Sequence, residues 1–159
     1  MRTRSLVISA TLIATLVLAL AVIAVAADNP FVGTWKMNPA KSKFSYAPPK
    51  SFTATVEAQG NGIKVVQDIV DASGKATHRS WTVNYDGKDY PITGDPDEDA
   101  VSYKRPDANT TEYVFKKNGK ETSSGRAVVS KDGKTKIDNG GGKDAKGQAF
   151  TYTIFTEKQ

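Results

Sequence analysis

From Ser51 to the C-terminus the chain alternates apolar and polar residues and breaks, again and again, at glycine-bearing turns. Strict alternation places successive side chains on opposite faces of a strand, so this pattern restricts the fold more than any other feature. Phe52, Ala54, Val56 and Ala58 share one face, and Thr53, Thr55 and Glu57 the other. Gln59-Gly60-Asn61-Gly62 then supplies the positive φ angles of a tight hairpin. Ile63 to Asp71 is β-branched and apolar on both faces, and Ala72-Ser73-Gly74-Lys75 turns the chain. Thr77, Arg79, Trp81, Val83 and Tyr85 fall in one phase; Asp86-Gly87 leads into a short strand at 89–92. Beyond an acidic loop, Val101, Tyr103 and Arg105 are in phase, as are Thr111, Tyr113 and Phe115 after the turn at 106–109. Asn118-Gly119 precedes a strand at 120–130, and Lys131-Asp132-Gly133 precedes one at 134–141 whose only large apolar residue is Ile137. Phe150, Tyr152 and Ile154 mark the last strand, 149–157.

With a first strand at Phe31–Met37, the count is about ten strands joined mostly by short links. The expected class is all-β. A meander of this length removes its exposed edges most simply by closing into an antiparallel up-and-down barrel, the alternative being an open sandwich. Ten strands leave more interior room than eight. Asn38 to Lys50 is the one long irregular stretch, kept from regular structure by Pro39, Pro48 and Pro49.

The N-terminus is of another kind. Arg2 and Arg4 precede an almost wholly apolar run, Leu6 to Ala27, that ends in the small residues Ala24-Val25-Ala26-Ala27. This reads as a secretory signal peptide over residues 1–27, cleaved before Ala27 or Asp28, with the barrel domain at 28–159. The other reading is an uncleaved anchor, since the 22 apolar residues suffice to span a bilayer. Both place the domain outside the cytoplasm, in the periplasm or the medium, and cleavage leaves no stable membrane span. The chain has no cysteine. Disulfides and a lipid-modified cysteine are thereby excluded, and about 130 residues must hold together through their core. Without Arg2 and Arg4 the formal charge of +5 falls to +3, carried by scattered lysines. That is a solvated surface and not the clustered stripe of a nucleic-acid binder.

Phe31-Val32-Gly33-Thr34-Trp35-Lys36 is similar to the first strand of the calycins. It resembles the F-x-G-T-W-K start of the intracellular fatty-acid-binding proteins and shares the G-x-W of the lipocalins. Thr153 to Lys158 is similar to the closing strand of the same group, and the whole chain resembles small exported lipocalin-like proteins of environmental bacteria. The resemblance implies that Trp35 sits at the closed end of a barrel under a basic side chain, here Lys158, and that Gly33 lets the first strand bend. Two departures stand out. The stretch from Pro39 to Lys50 is too short and proline-rich for the group's helical lid, and reads as an extended linker. Ile154 and Thr156 occupy the positions of the Arg and Tyr that clamp a fatty-acid carboxylate.

Arg79, Arg105 and Arg126 are the only arginines beyond the N-terminal region. Turned inward with Tyr103, Tyr113 and Tyr152, they would line a polar-aromatic cavity for an anionic amphiphile. Near strand ends, Arg79 and Arg105 would instead reach solvent and cover the barrel rim with their stems. His78, the only histidine, lies opposite Trp81 in phase and is expected to face outward. Asp95-Pro96-Asp97-Glu98-Asp99 has a D-x-D-x-D spacing but lacks the glycine and the final glutamate of a calcium loop, and reads as a solvated acidic loop. No cofactor and no metal site are expected. No serine sits in a Gly-x-Ser-x-Gly elbow. A non-enzymatic barrel binding a small hydrophobic or amphipathic molecule is therefore the leading expectation. Its wall would include Trp81, Tyr85, Tyr103, Tyr113 and Phe115, with Arg79, Arg105 and Arg126 as polar contacts. The second expectation is a structural or envelope-interaction barrel with a filled interior, and an enzyme comes third.

Overall fold

The computed structural model describes residues 29–144 and 146–159; the expected signal peptide lies outside them. Eleven strands follow in chain order: β1 Gly33–Met37, β2 Lys43–Phe44, β3 Ser51–Gln59, β4 Gly62–Val70, β5 Ala76–Asn84, β6 Tyr90–Pro91, β7 Ala100–Asp107, β8 Thr110–Lys117, β9 Lys120–Val129, β10 Thr135–Lys143 and β11 Ala149–Lys158. Ten of them form a ring in the order β5-β4-β3-β1-β11-β10-β9-β8-β7-β6, and every pairing is antiparallel. The ring closes between its ends. Ser80 on β5 and Thr93 exchange two backbone hydrogen bonds of 2.9 Å, and Gly87 N–H donates to Tyr103 O at 2.9 Å. This closure makes the domain a barrel and not an open sandwich.

The seam between β5 and β7 is thin, because β6 has only two residues and no continuous ladder crosses it. Gly94 fills it at close quarters. Its backbone is left-handed, with φ +86°, and a Cβ there would collide with His78 O. Only glycine can press this loop against the edge of β5.

The expected linker does more than connect. β1 spans five residues and covers only the last part of ten-residue β11, with Trp35 opposite Lys158 and Met37 opposite Thr156. The rest of that β11 edge would be left open. β2 pairs with it at Tyr152 and Thr153, and Ser45 N–H donates to Thr151 O at 3.0 Å. A two-residue strand thus blunts an edge that a mismatch in strand length exposes. Beside it, Phe44, Tyr46 and Phe150 meet edge to face, with centroids 5.3 and 5.7 Å apart.

Apolar residues from all sides fill the end of the barrel near β1. Trp35 is fully buried there, and its indole N–H donates to Phe31 O at 2.7 Å. Lys158 Nζ lies 5.0 Å from the indole centroid and Lys136 Nζ 5.7 Å from it. Gly33 has φ +133°, and a Cβ there would lie 2.8 Å from Lys158 Cε. The Gly-x-Trp spacing therefore joins a backbone that must pass under the lysine stem to an indole beneath its charge.

Candidate functional site

The interior is shaped by an unusual wall. Across β8, β9, β10 and β11 one register row reads Tyr113, Gly125, Gly140, Tyr152. The next reads Phe115, Ser123, Gly142, Phe150. Each row holds large rings at its ends and almost nothing in the middle. A Cβ on Gly125 would lie 2.7 Å from Tyr113 Cζ, and one on Gly140 would lie 2.6 Å from Tyr152 Cζ. The two tyrosines lie over these glycines, and their hydroxyls meet at 3.0 Å. Aromatic rings laid across glycines restore packing to strands that would otherwise be weak. Because the rings lie against these glycines, space remains beside them inside the barrel.

That space is a cavity of about 680 Å³. Its sides are apolar: Phe52, Ala54 and Val56 of β3, Ile63, Val65 and Ile69 of β4. Toward β1 its floor carries Lys136 and Asp138, two residues apart on β10 and facing inward. Lys136 Nζ lies 2.8 Å from Asp138 Oδ2. The contact is close but not aligned as a hydrogen bond, and no other donor among the described residues is aligned on this buried oxygen. Above the floor stand the phenols of Tyr103, Tyr113 and Tyr152. Burial pushes the titration of Tyr113 well up, and the Asp138 charge pushes it further. Tyr103 is raised by the same two causes. Tyr152 is pushed up to about 12, first by burial. All three remain neutral hydroxyls at ordinary pH.

The mouth is held differently. Arg79 Nη1 donates to Asp95 Oδ2 at 2.7 Å and also to Glu98 Oε2; Arg79 Nε donates to Gln67 Oε1 at 2.8 Å. The other Glu98 oxygen accepts from Thr122 Oγ1 at 2.9 Å and Ser123 Oγ at 3.1 Å. The guanidinium lies 4.8 Å from the Phe115 ring centroid and 5.5 Å from that of Trp81. One glutamate therefore ties the acidic loop to β5 on one side and β9 on the other, across the weak seam.

No family model matches the sequence. No curated protein matches it either. Among solved structures the chain is similar to one described as EF1p2_mFAP2b bound to DFHBI, with a TM-score of 0.48, 10% identity, and coverage of 84% of this chain and 98% of that one. It is also similar to the zebrafish ileal bile acid-binding protein complexed with cholic acid, with a TM-score of 0.45, 9% identity, and coverage of 82% and 98%. The fold described above rests on the chain's own ladders.

Of the eight residues expected to contact a ligand, Arg79, Tyr103, Tyr113 and Phe115 line the cavity. The other four do not. Trp81 faces inward from β5 but is packed into the core, edge-on to Phe115 at 5.5 Å. Tyr85 and Arg105 belong to the closed end. There Arg105 lies 5.4 Å over Tyr85 and 5.9 Å over Phe31, and Nη2 donates to Ala108 O at 2.7 Å. Arg126 is exposed on the outside with Val128, because β9 turns the apolar pair Ala127 and Val129 inward. Alternation defines the two faces of β9 but both carry an apolar residue, so phase alone could not choose between them.

Two expectations about charge also change. Arg79 does not reach solvent at a rim; its side chain is 13% exposed and paired with Asp95, Glu98 and Gln67. The acidic loop is not solvated at Asp95 and Glu98, whose side chains are 9% and 13% exposed. Asp95 Oδ1 also accepts from the backbone N–H of Asp97 at 2.8 Å, which holds the loop's bend. Lys136, Asp138, Gly125 and Gly140 carry no site signal in the sequence. Small and charged residues at alternate positions of β9 and β10 read there only as a poor strand.

Proposed function

We propose that this chain is an exported calycin-like barrel that binds a small, largely apolar molecule inside and carries out no chemistry on it. The observation that supports this reading is the cavity of about 680 Å³ with apolar sides and a short polar floor. Sites of roughly 300–1,000 Å³ with a few placed polar groups are typical of small-molecule binding. The alternative of a filled barrel is disfavoured by an interior cavity of this size. The basic and apolar start of the chain and its small-residue end at Ala27 support the proposal of export. The periplasm or the medium is the proposed location.

Native mass spectrometry on protein recovered from an exporting host tests both parts. The expected polypeptide mass starts at Ala27 or Asp28, with an added small-molecule mass or tight binding of the neutral fluorescent probe N-phenyl-1-naphthylamine. A bare protein that leaves the probe's fluorescence unchanged overturns the binding reading. A full-length mass overturns signal cleavage.

A further inference from the structure

Resting on the binding reading above, we propose that the cavity floor selects a ligand whose buried end is a neutral hydroxyl, and that it disfavours a carboxylate. The deciding atom is Asp138 Oδ2. It is buried, and no donor among the described residues is aligned on it. Its cross-strand neighbours are Ala127 on β9 and Ile154 on β11, and neither side chain can donate. Lys136 is near, at 2.8 Å, but it stands two residues along the same strand and is not aligned as a hydrogen-bond donor. A buried carboxylate oxygen in this state gains a full charge-assisted hydrogen bond from an entering O–H.

A hydroxyl meets both halves of the ion pair. It donates to Asp138 and accepts from Lys136 or from a phenol. The Tyr113–Tyr152 hydroxyl pair uses one of its two protons between its own oxygens, which leaves the second free for a ligand oxygen. A carboxylate meets a different site. It brings a second negative charge beside Asp138, in a low-dielectric floor where like charges repel strongly. The cation on the floor is Lys136, already matched to Asp138 and held over the Trp35 face. Arg79, the only guanidinium on the cavity wall among the described residues, is committed to two carboxylates and Gln67. An amine satisfies Asp138 but places a second cation beside Lys136, and it cannot accept in return once protonated.

The test uses displacement of N-phenyl-1-naphthylamine by decan-1-ol, decanoate and decylamine at pH 7. These share a ten-carbon chain and differ only at the end group. The expected order has decan-1-ol displacing at a concentration at least tenfold below either charged compound. In Asp138→Leu that advantage over decanoate shrinks to less than threefold. Equal or better displacement by decanoate or decylamine in the unaltered protein overturns the proposal and leaves the binding reading standing. If the probe itself does not bind, both fall. The unaltered protein's order decides the matter alone where the Asp138 variant does not fold.

Discussion

Arg79 at the mouth and Asp138 on the floor are both charges inside one barrel, and they are held in opposite ways. Arg79 meets two carboxylates and an amide, and its principal partner Glu98 is itself saturated by two hydroxyls. Asp138 has a single close cation, poorly aligned, and an oxygen without a donor. Burying charge costs several kcal/mol per ion, and only dense, well-directed partners offset it. The mouth cluster meets that condition and ties loop, β5 and β9 across a seam that backbone pairing leaves thin. The floor pair does not, and it sits where a ligand would end. Stability resides in the first cluster, and spare hydrogen-bonding capacity in the second.

The largest effect that can break this contrast is expected at the mouth. Arg79→Ala leaves Asp95 and Glu98 buried without their cation. It should cost about 3–5 kcal/mol in urea unfolding, the range for breaking one side of a buried pair. Trp35→Ala belongs in the same range of about 3–5 kcal/mol, because it empties a fully buried indole site. An Arg79 variant that unfolds like the original protein would show the mouth cluster to be ornamental and remove one side of the comparison.

Next comes the wall that opens the space between the two clusters. Gly140→Ala would put a Cβ 2.6 Å from Tyr152 Cζ and 2.7 Å from Ser124 O. The second of these is backbone and cannot swing away. Overpacking of this kind costs about 1–3 kcal/mol, and it should also lower probe affinity by displacing the Tyr152 ring. A variant that keeps both stability and affinity would mean that the row of glycines does not shape the cavity.

The barrel is legible in the sequence because it depends on local signals: alternation, and Gly or Asn-Gly at the bends. β2 is not, since nothing within Lys43-Phe44 asks for a strand; it exists because β11 outruns β1. The inward face of β5 was readable from Trp81 and Val83. The partners of Arg79 were not, because Asp95 and Glu98 lie in an aperiodic loop that reaches back 16 and 19 residues. The Tyr113-Gly125-Gly140-Tyr152 row combines four strands, and it becomes visible only once their register is known. Half of the candidate site was thus written in strand phase, and the rest in register and loop closure.

A smaller effect separates the tyrosines from both charge clusters. Tyr152 titrates near about 10 in the unfolded chain. In the folded barrel it is pushed up to about 12. Between those values the unfolded chain gives up a proton that the folded one retains, so stability falls as pH rises through this window, by up to ~1.4 kcal/mol per pH unit for this one group. Below about pH 10 the contribution is complete. Tyr152→Phe should cost about 1 kcal/mol at neutral pH, for one hydrogen bond, and should flatten the alkaline slope. Tyr103 and Tyr113 would retain part of it, since both are also raised. Urea midpoints from pH 8 to 12 read the slope directly, and an unchanged slope would place Tyr152 in water and outside the cavity wall.

The smallest effect on stability is the most telling for the comparison. Replacing the floor pair together, Lys136→Met with Asp138→Leu, removes two buried charges that serve each other poorly. Well-packed apolar replacements of buried ion pairs are commonly neutral or stabilising, by up to about 4 kcal/mol. The double variant should therefore unfold no earlier than the original protein, whereas loss of Arg79 alone is costly. It should also lose the preference for a hydroxyl-ended ligand, because the acceptor and its neighbouring cation are gone. Keeping poorly satisfied polar groups at the end of an apolar cavity is the usual trade of stability for binding. If the double variant were instead as unstable as Arg79→Ala, the floor pair would be a structural clamp like the mouth, and the two clusters would differ in geometry but not in role.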